Sequence, residues 1–414
     1  MKIVELSPQE FDEFTKFHPL SSYCQTSKYA MIMSEYGYEY DYIGYKDDYD
    51  KLQAATLVLT KKIGDIALNT KYGYAPKGFL INYYDKELLS NFMEDLRKFY
   101  EAKNFIFIKF NPEIIIGEGT YENKYNINYN GNVKIIDDLK ELKIKRRMEL
   151  QEFDLMQPKL NAYINLKKYD YNNLNINYRK KIKNAQTKGM KLVVGGPKDI
   201  DILYSFIKNK TKHNINYFRN FYNTFNKDNA VDLVFLKIDY EEYLTNVKKK
   251  YEEEVANNDY YNNLIQKDPK RKNLNRKINS DIKLNALKNN VIKATEALKK
   301  NKSMIIGGAL IIKHLNRVSI IASGYDEAHK ELNPNHYLYH SIFERYKPYF
   351  GFCDMRGVSG NYDPSGKYYG INMFKLNFKP TVYEFIGEFD LICSDKIFKK
   401  FIKTIYVEDE FDKH

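Results

Sequence analysis

Tryptophan is absent from the 414 residues, and cysteine occurs three times, at Cys24, Cys353 and Cys393. These cysteines are far apart and form no CxxC pair, so neither a zinc site nor a disulfide framework is signalled. A reducing compartment is the expected setting. No apolar run approaches the length needed to span a bilayer, and Met1 to Glu10 lacks the apolar core of a signal peptide, so a cytoplasmic protein is expected. Among seven histidines, His336 and His340 alone share a helix face at i and i+4, without the Glu of a zinc peptidase motif. Packing and capping roles are expected for them, with no metal and no cofactor.

Lys, Asn and Ile abound, as do Tyr (38) and Phe (25), which looks like an AT-rich codon bias and lowers the weight of any one tyrosine. Lys and Arg number 66 against 54 Asp and Glu, a formal net charge of +12. Such a surface favours polyanions: nucleic acid, anionic lipid or phosphorylated substrates. The length exceeds what one hydrophobic core usually organises, so two or more domains are expected.

Apolar periodicity supplies the order of elements. Ser7 caps and Pro8 opens a helix to Phe17. Strand patterns follow at Tyr40 to Tyr45, Leu52 to Lys61 and Asp65 to Lys71, and a Gly/Pro bend runs from Tyr72 to Gly78. Lys86 to Glu101 has helical spacing (Leu88, Leu89, Phe92, Leu96, Phe99), and Asn104 to Asn111 reads as a buried strand stopped by Pro112. The second half repeats this order: strands at Val231 to Ile238, Ser303 to Lys313 and Arg317 to Ser323, with Gly324 ending the third, a helix opened by Pro334, and a strand from Phe350 to Met355. Two copies of one α/β module are predicted.

Between matched strands lies a Lys-, Glu- and Asn-rich insert, Tyr240 to Lys300. Leu244, Val247 and Tyr251 precede, and Ile278, Ile282, Leu287, Val291, Ala294 and Leu298 follow, a break at Lys267-Asp268-Pro269-Lys270. This predicts an antiparallel coiled-coil hairpin. Its tip carries Lys270, Arg271 and Lys272. They are either a solvated charge run or a phosphate-tracking surface.

The C-terminal block Asp354-Met355-Arg356-Gly357-Val358-Ser359-Gly360, Tyr368-Tyr369-Gly370, Met373 to Phe378 and Tyr383 to Glu388 places one cation, Lys375, in an apolar, aromatic run. Such a lysine either snorkels or has an anionic partner or a task. The block, with Gln25 to Ala30, Tyr74 to Gly78, Phe107 to Glu113 and Asn177 to Gly189 in this order, resembles the FemABX peptidyltransferases, which move an amino acid from aminoacyl-tRNA onto a peptidoglycan precursor.

The resemblance implies two tandem GNAT-like domains with an inserted coiled-coil helical hairpin. They are residues 1–165, then 166–239 plus 301–400, with the arm at 240–300 and a tail at 401–414. It implies a tRNA-dependent aminoacyltransferase adding an amino acid of the Gly, Ala or Ser class to the stem peptide or cross-bridge of lipid II. The expected setting is the inner membrane face, with related transferases as further partners. Phe374 and Lys375 take the positions facing the developing oxyanion, and Tyr222 aligns with a tyrosine of the precursor pocket. Arg219 lies near a phosphate-binding arginine, and Met31 stands where a second cation is expected. Asn111 replaces an aspartate of the FemX-like subgroup and is equally readable as a strand-end turn residue. Arg356 is an anion ligand or a solvated loop arginine, and Gly357, Tyr29 and Tyr337 complete the expected substrate set. Lys270, Arg271 and Lys272 are the expected tRNA contacts. The alternatives are a GNAT-type transferase on another amine and a non-catalytic nucleic-acid-binding protein with a vestigial cleft.

Overall fold

The computed structural model describes residues 1–62, 70–120, 122–123, 126–149 and 151–399. Of the expected strand Asp65 to Lys71, residues 65–69 lie outside the described residues, as does the tail at 401–414, and Lys71 opens the strand Lys71–Ala75. Ser7 caps the helix Pro8–Phe17 in a reciprocal box with Glu10, as its sequence predicts. The helix Lys86–Ala102 buries Leu88, Leu89, Phe92, Met93, Leu96 and Tyr100, one stripe at helical spacing. That stripe lies on a sheet whose strand Phe105–Phe110 is buried along its whole length.

Two sheets repeat one topology. In the first, Lys2–Glu5, Glu39–Lys46, Leu52–Lys62 and Lys71–Ala75 run as an antiparallel meander, and Lys71–Ala75 then pairs in parallel with Phe105–Phe110. In the second, Met190–Gly195, Val231–Asp239, Ser303–His314 and Arg317–Tyr325 form the meander, and Arg317–Tyr325 pairs in parallel with Phe352–Val358. A helix joins each parallel pair, Lys86–Ala102 in one and Pro334–Tyr346 in the other. The parallel ladder of the second sheet ends at Ser319 and Asp354, although its strands continue to Tyr325 and Val358. The two strands therefore splay, and Arg356 and Gly357 lie in the opened part.

Gly324 does not stop its strand, which runs to Tyr325. A Cβ there would come within 2.6 Å of the Phe206 carbonyl, so the glycine admits the helix Ile200–Ile207 against the sheet.

The sheets exchange strands across the expected boundary at 165. Leu160–Asn165, Thr381–Phe385, Ile115–Gly119 and Asn128–Tyr129 extend the second sheet. Phe389–Ile392 returns to the first sheet, beside Phe105–Phe110. In each sheet the parallel pair is thus flanked by an antiparallel strand from a distant part of the chain, which local periodicity does not reveal.

The insert folds as two long helices, Tyr240–Lys267 and Arg271–Lys300, joined at Asp268-Pro269-Lys270. With 28 and 30 residues, the helices span about 42 and 45 Å at ~1.5 Å per residue. Near the base, Val247 and Ala294 are buried against the second module, with Leu244, Val291 and Leu298 beside them. Further out the seam is polar. Glu254 accepts from Ser280 at 2.6 Å and pairs with Lys283, and Asn258 donates to Ser280 at 3.2 Å and Asp281 at 2.8 Å. Ile278 and Ile282, expected in an apolar seam, are instead 55% and 64% exposed. The phase of the second helix is set by Ser280 and Asn273, which turn inward.

Glu254→Ala removes one acceptor from both Ser280 and Lys283. It is expected to speed amide hydrogen exchange in the distal arm while protection in Phe105–Phe110 and Val231–Asp239 stays unchanged. Equal protection along the arm in both proteins would contradict the polar seam.

Candidate functional site

Lys375 lies in the last turn of the short helix Tyr369–Leu376, packed against the strand Phe352–Val358. Its ammonium is buried and donates to the Gly357 carbonyl at 2.5 Å, in the splayed part of that strand. Burial pushes its pKa down to about 8, with Asp354 opposing the shift and Arg356 reinforcing it. The side chain does not snorkel to the surface. Phe374, its neighbour, anchors the helix from the other side: its ring packs edge-on against Tyr339, His336 and Phe378 at 5.0 to 5.5 Å. The Tyr178 hydroxyl donates to the Phe374 carbonyl at 3.1 Å.

Gly357 is needed for space. A Cβ there would stand 2.6 Å from Pro158 and 2.8 Å from Phe153, so the segment before Leu160 presses directly on this strand. Arg356, just before it, has φ of 65°, an uncommon conformation for a residue with a side chain. Its backbone N–H donates to Asp354 at 2.7 Å, and its guanidinium reaches the Gln157 amide oxygen at 3.3 Å. Arg356 is therefore a part-buried member of the site, not a solvated loop residue.

The first sheet contributes from the carboxyl ends of its own parallel pair. Asn111, directly after Phe105–Phe110, is buried, accepts the Lys77 N–H at 2.8 Å, and donates to the Tyr74 hydroxyl at 3.4 Å. It fixes the bend in which Lys77 adopts φ of 59°. The Lys77 ammonium is buried 3.6 Å from Glu113, and Glu113 also accepts from Arg317 of the second module at 2.9 Å. Burial alone would raise the Glu113 pKa, but the Arg317 and Lys77 charges overcome it and hold the carboxyl below its ordinary value. Arg317 also donates to the Tyr163 hydroxyl at 3.0 Å.

Lys77, Glu113, Arg317, Tyr163, Asp354 and Gln157 were not singled out as site residues by the sequence. Tyr23 and Cys24 meet this junction too: the charge of Arg356 acts on both. Of the expected substrate set, Tyr29 joins them, its ring edge-on to Tyr23 at 6.1 Å. Tyr222 is buried on the helix Ile215–Asn226 toward Asp232 and Asp199, whereas Tyr217 on that helix faces Cys24 and Arg356. Arg219 is exposed and paired with Asp201 at 2.6 Å. Tyr337 lies near Glu242 and Lys191, by the arm base. Neither joins the cluster. Met31 is 49% exposed. His336 lies 3.4 Å from the Lys181 ammonium, and His340 bonds the Tyr169 hydroxyl at 2.9 Å. Burial pushes both histidine pKa values down to about 4. Lys270, Arg271 and Lys272 are exposed at the arm tip, Lys270 paired with Asp268 at 3.1 Å.

Gly357→Ala forces Pro158 and Phe153 away and displaces the carbonyl that holds Lys375. We expect a folded protein in which a lysine-directed acylating reagent modifies Lys375 at least ~10-fold faster, since the ammonium loses a charge-assisted bond of about 1.5–3 kcal/mol. Unchanged labelling would contradict the anchoring role.

Comparison with known proteins gives a consistent result. The model of the FemAB family matches residues 6–406. The lipid II:glycine glycyltransferase of Staphylococcus aureus is 22% identical over 414 residues, covering 96% of this chain and 94% of that protein. The corresponding protein of strain MW2 is 21% identical over the same share of each chain. Among solved structures, the crystal structure of FemX superimposes with a TM-score of 0.74 at 20% identity, covering 98% of this chain and 100% of the other.

Proposed function

The chain belongs to the FemAB family, and from that membership together with the junction around Lys375 we propose that it is an aminoacyltransferase of peptidoglycan cross-bridge formation. It takes an amino acid of the Gly, Ala or Ser class from aminoacyl-tRNA and adds it to an amine on the stem peptide or growing bridge of lipid II. The related staphylococcal proteins, named for glycyl transfer to lipid II, support this reading. The observation that carries it is the Lys375 ammonium, buried in the splay of two parallel strands and tied to a carbonyl.

In the reaction, the acceptor amine attacks the ester carbonyl carbon and the carbonyl electrons move onto its oxygen. The tetrahedral species then collapses: the carbon–oxygen bond to the ribose breaks, the ribose oxygen takes a proton, and an amide remains. The ester is already activated, so the protein has to align two substrates and stabilise the oxyanion. An ammonium in a dry site does so far better than one in water. Lys375 is given that role through the field of its charge, since its ammonium is covered and its bond to the Gly357 carbonyl sets its direction. Asn111 carries no useful basicity, so the amine proton leaves to solvent, the ribose or the substrate.

The exposed cations of the arm tip are assigned to the tRNA backbone, since a rigid projection of this reach gains from releasing counterions. Among the described residues no helix is long and apolar enough to cross a membrane. Contact with the bilayer that carries lipid II is therefore proposed to be peripheral.

Purified protein supplied with lipid II and charged tRNA is expected to form the extended muropeptide. No transfer from Gly-, Ala- or Ser-tRNA would overturn the reading. Lys375→Met should cut kcat by ~10²- to 10³-fold, the range seen for other oxyanion donors. The sign of the pH effect follows from a pKa lowered to about 8: the ammonium is present below that value and lost as pH rises through it. Activity should therefore fall on an alkaline limb near pH 8 in the wild type, and Lys375→Arg should move that limb upward. Reversing Lys270, Arg271 and Lys272 to Glu should raise KM for charged tRNA ~10-fold or more and flatten its salt dependence, with KM for lipid II unchanged.

A further inference from the structure

Four cations, Lys77, Arg317, Arg356 and Lys375, meet at the junction of the two sheets, and two carboxylates, Glu113 and Asp354, face them. Glu113 is committed, held between Arg317 at 2.9 Å and Lys77 at 3.6 Å. Asp354 gives one oxygen to the Arg356 backbone N–H at 2.7 Å, and its other oxygen stands 3.9 Å from the guanidinium, beyond hydrogen-bond distance. Lys375 has a carbonyl as its partner, and the Arg356 guanidinium has the amide oxygen of Gln157. Buried positive charge of this kind is costly unless paired. The cost is visible in Lys77 and Lys375, each of which loses proton affinity to burial and to the charge of Arg356.

Accessibility separates the four. The side chains of Lys77 and Lys375 are almost completely covered, while that of Arg356 is 28% exposed and is held by a left-handed backbone at the open end of the splay. A planar guanidinium with free donors at such a place suits bidentate recognition of an oxyanion.

We propose that Arg356, backed by the positive charge of Lys77 and Lys375, is an anion subsite that takes an oxyanion group of a substrate next to the reacting carbonyl. The assignment rests on the transferase reading for the identity of the substrate but not for the existence of the site. A carboxylate of the acceptor peptide and a phosphate of the lipid diphosphate or the tRNA terminus share this chemistry.

Calorimetric titration separates these sources without any transfer assay. The probes are inorganic pyrophosphate, a soluble stem peptide with free carboxylates, and the same peptide fully amidated. The proteins are the wild type, Arg356→Gln, Arg356→Lys and, as control, Arg345→Gln, whose side chain is exposed on the helix Pro334–Tyr346. Wild type and control should bind an anionic probe at least ten-fold more tightly than Arg356→Gln, with Arg356→Lys between them and all four melting alike. Preference for the free over the amidated peptide assigns the peptide carboxylate, and preference for pyrophosphate assigns the phosphate. If Arg356→Gln binds both anionic probes as the wild type does, or no probe binds the wild type, the subsite is overturned. Active transfer by such a protein would leave the transferase reading standing, and anion binding without transfer would support the subsite while removing that reading.

Discussion

A buried ammonium held by a carbonyl instead of a carboxylate is the constraint around which this junction is arranged. A hydrogen bond to a charged group contributes about 1.5–3 kcal/mol, and the effective cost of burying a charge is several kcal/mol. The Gly357 carbonyl therefore fixes where the Lys375 nitrogen points without neutralising it. A carboxylate in contact would have held the charge more firmly, but it would have quenched the field on which the oxyanion role proposed for Lys375 depends. Asp354 acts on Lys375 through charge while its hydrogen bond goes to the Arg356 backbone, which keeps the ammonium protonated without occupying it.

Holding that geometry requires the two modules to be fixed to each other, and the chain does this by crossing between sheets. Thr381–Phe385 belongs to the second sheet and Phe389–Ile392 to the first, with Ile386, Gly387 and Glu388 between them. Gly387 turns with φ of 98°, and the Arg146 guanidinium donates to the Ile386 carbonyl at 3.0 Å. Glu388, almost fully buried, receives Lys109 at 3.1 Å and the Met156 N–H at 3.0 Å. Met156 belongs to the same segment as Gln157 and Pro158, which touch Arg356 and crowd Gly357. The crossover thus fastens the first sheet to the segment that shapes the site. Burial raises the Glu388 pKa against the pull of Lys109 and Arg147, so covering this carboxylate costs more than the two cations return, and its part in the crossover is geometric, through the bonds to Lys109 and the Met156 N–H.

Features set by local pattern were legible in the sequence. The stripe Leu88, Leu89, Phe92, Leu96 and the run Phe105 to Phe110 announce a helix and a buried strand, and their counterparts at Pro334–Tyr346 and Phe352–Val358 reveal the repeat. Pro269 marks the turn of the arm. Lys375 stood out as a lone cation in apolar company. What was not legible depends on residues brought together from afar. Arg317 acquires meaning only by meeting Glu113, 204 positions away, and Lys77 looks like one more surface lysine in a bend. Tyr222 and Tyr217 differ only in helix phase: five residues at ~100° each place them about 140° apart, so one meets the junction and the other its own module. Arg219, close to an expected phosphate ligand in order along the chain, lies on the outer face with Asp201. In the arm, small polar residues took the seam that Ile278 and Ile282 were expected to fill, because composition there gives no strong apolar stripe to choose between.

Asn111 shows how one neutral side chain sets the charge of the whole site. An aspartate of the same shape could accept the Lys77 N–H, but it could not donate to the Tyr74 hydroxyl as the Asn111 amide does. It would also bring a third carboxylate beside Lys77 and offset the charge that burial already strains. The amide keeps the bend and adds no charge, so the cluster stays net positive between Lys77 and Lys375. A general base at this position and a strong oxyanion field are in competition, since a carboxylate that draws protons also draws the ammoniums toward itself. With asparagine here the balance falls to the field. In the transfer proposed above, the chemistry left to the protein is then placement of two substrates and stabilisation of negative oxygen, with the proton left to solvent or to the substrates themselves.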